Sequence, residues 1–181
     1  MIASGAERSC GSCSLCCKVL GIAALMKPQG KWCPHCRIGS GCGNYEARPE
    51  ECRTFSCLWL TQSFLGPQWK PDRAGFVLAT EQGGARLIVY ADPGKPAAWR
   101  TEPYYGQIKA WARAAVAQRR QVLVFVNSRA TAVLPDREIE LGALAPGDRV
   151  VYRERRDAAG RPILDADVLR GPGASTAAST R

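Results

Sequence analysis

All nine cysteines of this 181-residue chain lie between Cys10 and Cys57, and four of them crowd into CGSCSLCC. Few folds tolerate such a distribution, because a thiol-dense segment must be tied by disulfides, serve as a redox pair, or bind metal. Disulfides fit poorly. The count is odd, adjacent Cys16 and Cys17 are badly placed to bridge each other, and MIASGAERS lacks the apolar core of a secretory signal. The longest apolar run nearby, VLGIAALM (Val19 to Met26), is too short to span a bilayer. It is expected to pack beside the cysteines. The reading is a cytoplasmic protein with no membrane association, and in a reducing cytosol dense cysteine points to metal or catalysis.

WCPHC, Trp32 to Cys36, has the aromatic-Cys-x-x-Cys form of a thiol–disulfide oxidoreductase. That chemistry needs a helix N-terminus to lower the first thiol's pKa. RIGSGCG follows instead, and its glycines argue against a helix. Metal fits the spacing better. Thiolates are strong ligands for zinc and iron–sulfur clusters, and two intervening residues let both sulfurs reach one centre. The x2 spacings of Cys10, Cys13 and Cys16, with Cys17, match a loop wrapping a cubane cluster, and Cys33-Pro34 resembles the distant ligand of bacterial ferredoxins. Cys33 and Cys36 equally suit a zinc knuckle. Cys42, Cys52 and Cys57 complete the set, and glycines at 11, 39, 41 and 43 allow close backbone approach. The expected cofactor is zinc (Zn2+) or a 4Fe–4S cluster, in one centre or two.

CGSCSLCC, then CPHC, then GCGNYEARPEECRTFSC resemble the YkgJ-type CxxCxxCC cysteine-cluster family, described as a zinc- or iron-chelating domain. Cys10, Cys13, Cys16 and Cys17 match its first block, Cys33 its Cys-Pro position, and Cys42 the next. Tyr45, Glu46, Arg48 and Pro49 match the linking signature, and Cys52 and Cys57 the last pair. The resemblance covers about residues 10–60. Cys36 departs from it, standing where an apolar residue is expected, so eight or nine thiols are candidates. The resemblance also implies a competing activity, because proteins that methylate flagellin lysines share this cluster and use an iron–sulfur centre. An iron–sulfur enzyme of redox or methyl-transfer type is therefore the alternative to a structural or sensory metal-binding protein. Tyr45 and Arg48 are expected around the metal ligands, Tyr45 limiting solvent and Arg48 compensating thiolate charge. His35, the single histidine, reads as a bystander among nine thiols, and its solitude excludes histidine-dependent triads outside this loop.

The formal charge of +9 counts every cysteine as neutral. Two four-thiolate centres would bring it to roughly +5. That leaves room for an acidic protein or nucleic-acid partner beside the metal ions. Trp99, Tyr104, Tyr105 and Trp111 with Arg100 and Arg113 could stack bases, but helix core with solvated arginines is the simpler reading.

The expected organisation is a leader (1–9), a cysteine-cluster module (10–66), an α+β region (67–170) and a disordered tail (171–181). Within the module RPEECRTFSCLWL reads as one short helix opened by Pro49. Beyond it, FVLAT (76–80) and ARLIVYA (85–91) flank QGG as a hairpin. YYGQIKAWARAAVAQRR then places Tyr105, Ile108, Trp111, Ala112, Ala115 and Val116 on one helical stripe, with Lys109, Arg113 and Arg120 opposite. QVLVFVN turns at Asn127–Ser128 into TAVLP, and RVVYRER with RPILDADVL forms a further pair around PGD (146–148). The fold class is α+β: an N-terminal Cys-rich metal-binding module of loops and short helices, then an antiparallel sheet with one main packing helix.

Overall fold

The computed structural model describes residues 8–172. Of the leader expected over 1–9 and the tail expected over 171–181, residues 1–7 and 173–181 lie outside the described residues. From Cys10 to Thr61 the regular elements are short: α1 (Cys16–Val19), the two-residue strands β1 (Cys36–Arg37) and β2 (Gly41–Cys42), α2 (Glu50–Thr54) and α3 (Leu58–Thr61). Pro67 opens a 3-10 turn (Pro67–Trp69) and Pro71 opens α4 (Pro71–Ala74), each supplying a φ suited to a first helical turn.

A five-stranded sheet follows, in order β3 (Phe76–Glu81), β4 (Arg86–Ala91), β5 (Gln121–Val126), β6 (Arg129–Val133), β7 (Glu138–Ala143). The fold is α+β, and the hairpin around QGG pairs Phe76 with Ala91 through Glu81 with Arg86. The sheet is mixed rather than antiparallel. Between β4 and β5 the chain runs through α5 (Tyr104–Ala117), and this crossover returns it in the same direction, so those two strands pair in parallel. EIELGA, over which no strand was expected, forms β7.

The last pair is β8 (Arg149–Arg156) with β9 (Pro162–Leu169), but its turn is DAAG, not PGD. Asp157 closes that turn through its own carboxylate, which accepts from the amides of Ala159 and Arg161 at 2.9 Å. Pro146–Asp148 instead leads into β8, with Asp148 accepting from Ala145 N at 2.9 Å.

Both faces of the sheet are covered, so β3, β4 and β5 read as nearly continuous apolar runs. On one face Phe76, Leu78, Val89, Ala91, Val122 and Val124 pack with Ile108 and Ala112 of α5 and with Trp99 and Trp69. Tyr104 and Trp111 meet Trp69 at ring-centroid distances of 5.0 and 5.2 Å, which pins the Pro67–Trp69 turn to the helix. Trp99 is buried core and no stacking platform. Lys109 leaves the polar face expected for it and donates to the carbonyl of Leu134. On the other face Val77, Ala79, Ile88, Tyr90 and Leu123 pack against Val150 and Ala166 of the β8–β9 hairpin, and against Leu15, Val19 and Cys57. The cysteine module thus shares a core with the sheet. A Lys18–Asp92 ion pair at 2.6 Å adds a polar tie between them.

Candidate metal centre

The cysteines are brought together by backbone bonds that their local sequence permits. Tight turns set Cys13 N on Cys10 O at 2.9 Å and Cys36 N on Cys33 O at 3.0 Å. Cys33 N donates to Cys17 O at 3.0 Å, which lays the CPHC turn against the CC pair across fifteen intervening residues. Past Cys36 the chain forms the β1–β2 hairpin, with Gly39 and Gly41 at φ 77° and 97°, values that favour glycine. Gly43 N donates to His35 O at 2.7 Å, so the adjacent Cys36–Cys42 pair is the kind whose side chains lie close. No helix follows Cys33.

RPEECRTFSCLWL forms two helices where one was expected. Phe55 and Cys57 are extended, with ψ 126° and 153°, and separate α2 from α3. The reason is geometric. On a continuous helix, residues five apart point roughly 140° away from each other. The break lets Cys52 and Cys57 line one cavity.

That cavity holds about 140 Å³ and is lined by Cys10, Cys13, Cys16, Cys17, Cys33, Cys42, Cys52 and Cys57. His35 also lines it, while Cys36 is absent from its wall. Leu20, Ile22 and Leu25 of the apolar run contribute, as expected, together with Phe55 and Leu60; Met26 instead is 92% exposed. Every cysteine is a free thiol.

The thiols influence one another in two neighbourhoods. Burial pushes the Cys57 thiol up, and Cys10 and Cys13 beside it push further. Burial likewise raises Cys52, reinforced by Cys17, Cys33 and Cys42. A hydrogen bond that the Cys17 thiol donates to Cys16, and then burial, raise Cys17, which also contacts Cys36; Cys36 itself is pushed up to about 11, chiefly by burial and then by Cys17. These are the shifts of thiols that bury and crowd one another. Among the described residues no group of three or more Cys, His, Asp or Glu side chains has the arrangement of a formed metal site.

One cation lines this cavity and a second lies near its thiols. Arg48 lines it, and its Nε is buried with no acceptor among the described residues. Tyr45 is not part of the wall. It is exposed and carries the Arg48 guanidinium 3.8 Å above its ring, acting on the site only through that arginine. Lys27 was not anticipated. It is 7% exposed, and its Nζ donates to the carbonyls of Lys18 at 3.3 Å and Pro28 at 3.1 Å, and to that of Leu20. Burial pulls its pKa down while the neighbouring thiols Cys33, Cys17, Cys52 and Cys16 oppose the change. Nothing in VLGIAALMK marks this lysine as buried; the clue is its place beside an apolar run that closes over the cavity. Glu51, on the cavity wall, ties the wall's two sides by accepting from Ala23 N at 3.2 Å and Ala24 N at 3.4 Å.

The donor chemistry suits a thiolate-bound metal: soft ligands in number, a buried ammonium near them, and a wall arginine whose buried Nε–H has no acceptor among the described residues. Comparison with protein-family models, curated proteins and solved structures found no match for the chain. Among the described residues no helix is long and apolar enough to cross a membrane.

Proposed function

We propose that this chain is a cytoplasmic metal-binding protein of the YkgJ-type cysteine-cluster kind, holding zinc or an iron–sulfur cluster in a structural or sensory role. The observation that carries the reading is the convergence of eight cysteines from four separate segments on one cavity, with Arg48 on its wall and buried Lys27 coupled to four of its thiols. Cys10, Cys13, Cys16, Cys17, Cys33, Cys42, Cys52 and Cys57 are the residues that would hold the metal. The two thiol neighbourhoods are consistent with two centres. The bound metal would supply a covalent-strength cross-link among segments too short to order themselves.

This chain's own residues prepare that site. Arg48 Nε and Lys27 offset the charge that deprotonated thiols bring, and Tyr45 holds the Arg48 plane. Leu20, Ile22 and Phe55 restrict water at the sulfurs. Cys33 turns into Cys36, which opens a hairpin, so the helix that activates a thioredoxin-type thiol has no counterpart here.

Iron, zinc and acid-labile sulfide per chain, measured on protein purified without oxygen, test the proposal. Zinc near two per chain supports two four-thiolate sites. Iron with matching sulfide supports a cluster and moves redox or methyl-transfer chemistry forward. A folded protein containing neither refutes the reading.

A further inference from the structure

A second cleft lies where the C-terminus of α5 meets the β3–β4 turn and β8. It encloses about 700 Å³, the size of a small-ligand site. Four arginines line it, Arg86, Arg119, Arg120 and Arg149, against one carboxylate, Glu154. None of the four arginines forms an ion pair among the described residues. Elsewhere the chain pairs its arginines freely, as Arg155 with Asp165 and Asp167 and Arg170 with Asp148.

Backbone geometry gives an independent sign. Four non-glycine residues of the described chain adopt positive φ, and two of them, Gln82 at 51° and Arg119 at 55°, line this cleft. Arg119 occupies the left-handed position of a helix C-cap, with Arg119 N on Val116 O at 3.1 Å and Arg120 N on Ala115 O at 2.7 Å. Glycine is the usual residue there, so arginine is kept at a conformational cost. Those bonds are made by the backbone alone, so capping the helix requires the left-handed conformation but not the guanidinium. The cleft floor is also fixed. Arg86 Nε donates to Gln121 Oε1 at 2.9 Å and its NH2 to Val150 O at 3.2 Å, while Gln121 Nε2 holds the same carbonyl at 3.0 Å.

We propose that this cleft binds a small ligand bearing two or more linked phosphates, of nucleotide size. Guanidinium forks match phosphate oxygens bidentately, and linked phosphates concentrate several charges in a space of this volume. A nucleic-acid strand fits less well. Tyr152 is the one aromatic among the lining residues, its hydroxyl donating to Val122 O at 3.2 Å, whereas a strand would need a row of rings for successive bases.

Calorimetric titration of the full-length protein with ATP, inorganic triphosphate and a ten-nucleotide single-stranded DNA, at about 150 mM salt, tests this. Saturable binding of ATP and triphosphate is expected, weakened about tenfold in Arg149→Gln. Arg119→Gly separates function from folding: the thermal midpoint is expected to hold or rise, since glycine suits the position, while affinity falls about tenfold. ATP binding unchanged in both variants, or no binding at millimolar ligand, overturns the proposal. So does saturable binding of the oligonucleotide alone, which would make the cleft a nucleic-acid surface.

Discussion

The two faces of the central sheet bury similar residues but are covered in different ways. Over Phe76, Leu78, Val89 and Val124 lies the fourteen-residue α5, braced by Trp69 and Trp99. Over Val77, Ile88, Tyr90 and Leu123 lie the β8–β9 hairpin and a cysteine module whose helices are four or five residues long. Helices that short do not propagate by themselves. Each ordered residue also costs roughly 1–2 kcal/mol of backbone entropy. The helical face can be held by apolar burial, whereas the cysteine module meets the sheet through buried Leu15, Val19 and Cys57, with Leu20, Phe55 and Leu60 only partly buried. The contrast teaches that the thiols lie where the covering elements are too short to order themselves.

Removing the metal should produce the largest effect. Thiolate-bound zinc in small domains contributes on the order of 10 kcal/mol to folding. With the chelated, reduced protein, amides over about residues 10–62 are expected to lose hydrogen-exchange protection, while those of α5 and β5 keep it. The Val77–Ile88 face should then bind an apolar dye. Uniform protection after chelation would break the comparison and show that the module stands on packing.

Ile108→Ala attacks the opposite face. Ile108 is fully buried between α5 and the sheet, and its truncation should cost about 2–5 kcal/mol in denaturant unfolding. Metal content per chain should stay at the wild-type level. If Ile108→Ala releases metal from the folded protein, the two faces are coupled and not separately supported.

Legibility in the sequence divides along the same line. The α5 stripe is written in its spacing, and Ile108 and Ala112 are its buried centre. The QGG hairpin is equally plain, because turn chemistry between two apolar runs is local. The parallel pairing of β4 with β5 is not local. It depends on a crossover that no short window contains, and the reading of a wholly antiparallel sheet failed there. The β7 strand escaped although Glu138, Ile139, Glu140 and Leu141 alternate at strand spacing, because the alternation lasts only four residues before Gly142. At the thiol cavity, the cysteines could be counted and spaced in the sequence, but the Phe55–Cys57 break, the Cys33–Cys17 backbone bond and buried Lys27 are tertiary facts. Spacing names donors. It does not say which of them face one space.

Lys27 sharpens the comparison from within the module. In Lys27→Met three carbonyls lose their donor, which costs about 1–3 kcal/mol. The thiolate charge also loses its buried cation, so metal retention against a competing chelator should fall roughly ten- to a hundredfold. Lys27→Arg, which keeps the charge, should recover part of that retention. A Met variant that is destabilised but retains metal as tightly as wild type would assign Lys27 to packing alone.

The smallest effect is expected at the cysteine whose role the sequence left open. Cys36 faces Cys42 across the β1–β2 hairpin and contacts Cys17, yet it does not line the cavity that the other eight share. Serine conserves its size and its capacity to hydrogen-bond to Cys17. Cys36→Ser should therefore leave metal per chain unchanged and shift stability by no more than about 1 kcal/mol. Cys52→Ser, which removes a wall thiol on α2, should lower metal content and open the module. Equal loss in the two variants would make the ligand set nine, and would mean that the hairpin swings Cys36 inward when metal binds.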